Sequence, residues 1–124
     1  MPFDFSPGYT VPREDLEAAR VLRDAARLVT GGWWRSCGSD DRGTGSRYCA
    51  ALSIVHGGGG WWGDNPTPQI AFMQFLGLPK TDDPHAIYVW NDAPGRTKAE
   101  VISALTGCAD WLEAGRPALH GAGR

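Results

Sequence analysis

The chain has no long hydrophobic run. None of its 124 residues belongs to a stretch near the eighteen consecutive apolar positions of a membrane-spanning helix. Lysine is scarce, two against ten arginines, and no basic stripe stands out at a formal charge of −2; nucleic acid is therefore not an expected partner. Metal-site spacing is missing as well: there is no C-x-x-C and no H-x3-H, and Asp40-Asp41 and Asp82-Asp83 lack calcium-loop spacing. No metal or cofactor is expected. The Gly57–Gly60 run is not followed by Lys-Ser/Thr, which excludes a phosphate-cradling loop. His56-Gly57-Gly58-Gly59 matches an esterase oxyanion loop, but the G-x-S-x-G elbow that gives it meaning is absent. The start, MPFDFSPGYTVP, has neither a positive beginning nor an apolar core, so it does not read as an export signal. The expected location is cytoplasmic. Cys37, Cys49 and Cys108 cannot all pair within one chain and are expected as reduced thiols.

The residues present describe one folded unit. A hydrophobic fraction of 42% with 21% charge is ordinary for a globular protein and excludes wholesale disorder. Residues 1–124 read as a single domain with an irregular arm over 1–11 and a loose tail over 117–124. The expected fold is mainly α: about four helices joined by long Gly- and Trp-rich loops, with room for one short extended segment. The first helix is expected from about Pro12 to Thr30, capped at Thr10 or Val11. Leu16, Ala19, Leu22, Ala26 and Val29 face the core, and Gly31-Gly32 end it in the left-handed conformation. A second helix is expected from about Arg47 to His56, behind Ser46. A third follows Pro66 or Pro68, with Asn65 and Thr67 as alternative caps, and ends at Gly77. Residues 85–90 read equally as a strand or as a helical turn after Pro84. Pro94-Gly95 fits the centre of a type II turn. Thr97 and Glu100 have the capping-box spacing that opens a last helix through Leu112.

Two sets of residues are candidates for chemistry or recognition. Cys49, near a helix start, is a nucleophile if His85 or His56 supplies a base; the heavier reading is a small buried hydrophobe. Tyr48-Cys49-Ala50-Ala51-Leu52 and His85-Ala86-Ile87-Tyr88-Val89 resemble in outline the Cys and His segments of NlpC-type cysteine peptidases. That family's Asp-Cys-Ser start and its strands are absent. The six tryptophans are the better clue. Trp33-Trp34 and Trp61-Trp62 are adjacent pairs, and neighbours on one segment point in different directions, so one of each pair is expected at the surface. Arg35 adds a stacking or bidentate contact. Trp34, Arg35, Trp61 and Trp62 are the expected binding residues, and a small-molecule pocket walled by Trp33, Trp61 and Trp90 is a further alternative.

The segment Trp90-Asn91-Asp92-Ala93-Pro94-Gly95-Arg96-Thr97, running on to Glu100-Val101-Ile102 and Leu105, resembles a domain-of-unknown-function family of small actinobacterial and phage proteins. Its members read W-N-D-x-P-x-x-T before a helix, with an earlier Gly-Trp and a Cys-Ala stretch. Gly32-Trp33 and Cys49-Ala50 are similar to these, and the resemblance spans roughly residues 16–112. It carries no activity. On the residues alone the segment is a structural device: Trp90 plugs the core, Asn91 or Asp92 bonds the turn's backbone, and Thr97 starts the helix. The leading functional expectation is a small, non-enzymatic binding protein, phage-encoded, acting on a host protein through its tryptophan-rich loops. The alternative is a cysteine hydrolase using Cys49 with His85. The sequence gives no oligomeric state.

Overall fold

The structure, a computed structural model, describes residues 10–33, 49–59, 65–79 and 85–119. Helices make up most of these, and no strand occurs among them. In chain order they are α1 (Arg13–Gly31), α2 (Ala50–Ile54), which runs into a π-helical turn (Val55–Gly59), α3 (Thr67–Leu76), α4 (His85–Asp92) and α5 (Lys98–Glu113). The fold is mainly α, as the sequence implies, with one helix more than the four expected. The strand-like residues of 85–90 are helical: burial of Ala86, Ile87 and Asn91 on one face outweighs β propensity in so short a segment.

The α1 and α5 helices form the most extensive pair. Ala18, Ala19, Ala25 and Ala26 on α1 are buried, and small side chains let two helices approach closely. Arg23 adds ion pairs from α1 to Asp110, at 2.7 Å, and to Glu113 on α5. Three expectations for α1 are corrected. Its cap is Pro12, whose carbonyl accepts from Asp15 and Leu16 and which makes no side-chain cap bond. Gly32 ends it in an extended conformation, φ 165°, not a left-handed one. Leu16 does not face the core but stands 47% exposed. The neighbouring Asp15 is buried instead, because its carboxylate takes two bonds from Arg116 beyond the end of α5, at 3.0 and 3.1 Å.

Thr97 opens α5 with a complete capping box: its hydroxyl accepts from the Glu100 amide at 3.1 Å, and the Glu100 carboxylate accepts from the Thr97 amide at 2.9 Å. The far end is tied down too. Trp111 Nε1 donates to the Pro117 carbonyl at 2.8 Å and Leu119 packs on the core, so the stretch expected to be loose from 117 is held through 119.

The second helix begins at Ala50, later than the sequence suggests, with Ser46 outside the described residues. Gly57 permits the π turn to lie on α1: a Cβ there would stand 2.8 Å from the Val21 carbonyl oxygen. The helix α3 starts at Thr67 behind Pro66 without a side-chain cap, so neither Asn65 nor Thr67 plays the expected role. Gly77 ends α3 in the left-handed conformation, φ 70°, as the sequence implies.

Candidate functional site

The segment Trp90 to Thr97 divides into two structures, and the division falls between Trp90 and Asn91. Trp90 is half-buried against the core and meets Phe72 of α3 edge-on, with centroids 5.6 Å apart at 89°. The Arg96 guanidinium lies 4.1 Å from its ring centroid, and Arg96 Nε donates to the Trp90 carbonyl at 2.9 Å. The chain between them reverses at Ala93–Arg96, where the Arg96 amide donates to the Ala93 carbonyl at 3.0 Å. Gly95 takes the positive φ, 82°, that its place in a type II turn requires. Arg96, which stacks on Trp90 and bonds its carbonyl, escaped the sequence reading. The one available signal was an arginine a turn beyond a tryptophan, a cation–π pairing with many false instances.

Asn91 points the other way and is fully buried. Its Oδ1 accepts two bonds, from the Trp33 indole Nε1 at 2.8 Å and from the Ala50 amide at 3.1 Å, while its Nδ2 donates to Asp92 Oδ1 at 2.9 Å. An amide oxygen with two lone pairs thus serves two partners distant in sequence, a use that the reading of Asn91 or Asp92 as turn chemistry does not contain. Trp33 stands at the end of α1 and Ala50 at the start of α2. One buried oxygen thus holds both ends of the connection 34–48. This pairing across 58 and 41 positions has no periodicity and no local signature. The sequence offered only a buried-type Asn between two elements, which reads more simply as turn chemistry.

Cys49, the residue before Ala50, is fully buried and disulfide-bonded. That corrects the expectation of three reduced thiols. Cys108 is a free thiol inside α5, and burial pushes its proton affinity far up, so it is held as the neutral thiol. Cys37 lies outside the described residues. The proposed base, His85, opens α4 one and two-thirds turns before Asn91, about 9 Å along the helix axis at 1.5 Å per residue. It is exposed in the wall of a groove, whereas Cys49 is enclosed at the base of the connection. No group of three metal-ligating side chains occurs among the described residues. Trp34, Arg35, Trp61 and Trp62, the expected binding residues, lie outside them, as do Asp40, Asp41, Asp82 and Asp83. No described helix is long and apolar enough to cross a membrane.

A family model covers residues 13–110, from the first residue of α1 nearly to the end of α5: a family of unknown function, DUF6197. No curated protein and no solved structure matches the chain.

Proposed function

The chain belongs to the family of unknown function DUF6197, and from its geometry we propose that it is a non-enzymatic binding protein that engages another protein through the tryptophan-bearing connection 34–48. One observation carries this reading. Asn91 Oδ1 ties the last residue before the connection's described edge, Trp33, to the first helical residue after it, Ala50. Recognition segments work when a rigid scaffold fixes where they leave and return. Trp34 and Arg35 follow directly on the clamped Trp33, and Trp and Arg are the side chains that most often dominate protein–protein contacts. Trp61 and Trp62 provide a second aromatic pair in the connection ahead of α3. The motif residues Asn91 and Thr97 are meanwhile spent on holding the scaffold. The resemblance to small actinobacterial and phage proteins makes a protein of the host cell the expected partner, with the chain acting in the cytoplasm. The hydrolase alternative draws no support: Cys49, buried and disulfide-bonded, offers no thiolate in this state.

The test is capture of a partner by the intact chain, with the contact mapped by cross-linking. Trp34→Ala/Arg35→Ala and Trp61→Ala/Trp62→Ala double variants are compared with the unchanged protein. Loss of one defined partner with an unshifted Tm supports the reading. Retention of that partner by both variants overturns it.

A further inference from the structure

A second feature, independent of the clamped connection, lies on the opposite side of Trp90. Leu78 and Pro79, just past α3, and Ala86, Val89, Trp90 and Ala93 on and after α4 enclose a groove of about 290 Å³. Among the described residues that line it His85 is the single polar one, and the wall they expose is almost wholly apolar. Val89 in that wall is 58% exposed, one of only two large aliphatic side chains so exposed among the described residues. The groove is preformed, because Trp90 is fixed on both sides: Phe72 meets its ring edge-on and Arg96 stacks at 4.1 Å while bonding its carbonyl. A tryptophan held from two directions cannot collapse into the space beside it.

We propose that this groove binds a small, uncharged, ring-bearing apolar molecule. Size selects the occupant. A stable protein–protein interface takes about 20–30 residues a side, and the described residues that line this groove, on α4 and at its flanks and past α3, number seven. The volume sits at the small end of ligand pockets, which run about 300–1,000 Å³. Chemistry narrows it further. Among the described residues that line the groove none is lysine, arginine, aspartate or glutamate, so a charged ligand would lose hydration against these walls without compensation from them. Apolar walls with a fixed indole edge favour a flat ring, which packs against Trp90 in an offset or edge-on arrangement.

Indole serves as the probe, titrated into the ¹⁵N-labelled full chain with amide and indole N–H shifts followed by NMR. The expected result is a saturable shift confined to Leu78, Ala86, Val89, Ala93 and the Trp90 indole. Indole-3-carboxylate should bind at least tenfold more weakly. Val89→Lys, a change at an exposed position, and Ala93→Leu, which fills the groove without adding charge, should each weaken indole at least tenfold while leaving the remaining spectrum in place. The proposal is overturned if shifts fail to saturate, if they spread evenly over the protein, or if both variants bind indole unchanged. It is equally overturned if the chain is a dimer that Val89→Lys converts to monomer, since a second copy then covers the groove.

Discussion

Single residues carry the clearest physical consequences. Gln69 on α3 is buried to 1% exposure, and neither atom of its amide has a partner among the described residues. An unpaired buried polar group costs about 1–3 kcal/mol. Gln69→Met keeps the volume and removes the polar atoms, and thermal unfolding should register a stabilisation of about 1 kcal/mol or more. Asn91 is the reverse case, a buried amide whose oxygen is used twice. Asn91→Ala orphans the Trp33 indole and the Ala50 amide together, at a cost of about 2–4 kcal/mol. Chemical denaturation reads the loss, and the Trp33 indole proton, shielded in the unchanged protein, should exchange faster with solvent. The cysteines separate by labelling. Maleimide applied to the folded chain should leave Cys108 untouched even as pH rises to 9, because burial shifts that thiol's titration upward and so keeps the thiolate scarce. After unfolding without reductant Cys108 should label, and Cys49 only once reductant is added.

The individual helices show how far sequence patterns reach. The α5 helix was legible because its signals are local. The Thr97–Glu100 spacing forms the complete box, and Thr97→Ala should cost about 1 kcal/mol in thermal unfolding. The length of α1 was legible for the same reason, through helical spacing of its apolar residues. Leu16 broke that pattern: the inward place in the first turn goes to its neighbour Asp15, whose partner Arg116 lies 101 positions away. The four-residue glycine run was legible as a break, but not as a packing surface. Gly57 is demanded by the α1 backbone beneath it, and Gly31, with no atom within 4 Å of its virtual Cβ, is not. Gly57→Ala should therefore destabilise by about 1–3 kcal/mol, whereas Gly31→Ala should be neutral or add a few tenths of a kcal/mol. Denaturation midpoints measured side by side check the contrast. Residues 85–90 read either way because six residues hold too few periods to separate a strand from a helix, and the deciding contacts come from α2 and α3.

At the scale of the whole molecule, the fold is an α1–α5 pair closed at one end by Arg116 and at the other by Asn91. Arg116 adopts φ 56°, a conformation few non-glycine residues take, and holds it with Asp15, Gln74 and the Trp111 ring around its guanidinium. At the Asn91 end, the same oxygen joins Trp33 to Ala50 across the sixteen residues between them. Because Asn91 holds both ends, closure entropy is the main cost of changing the length between them. Each doubling of such a connection costs only about 0.6 kcal/mol. The scaffold can therefore host foreign peptides: a graft between residues 38 and 48 should leave the denaturation midpoint nearly where it was, provided Asn91 and the cysteines are kept.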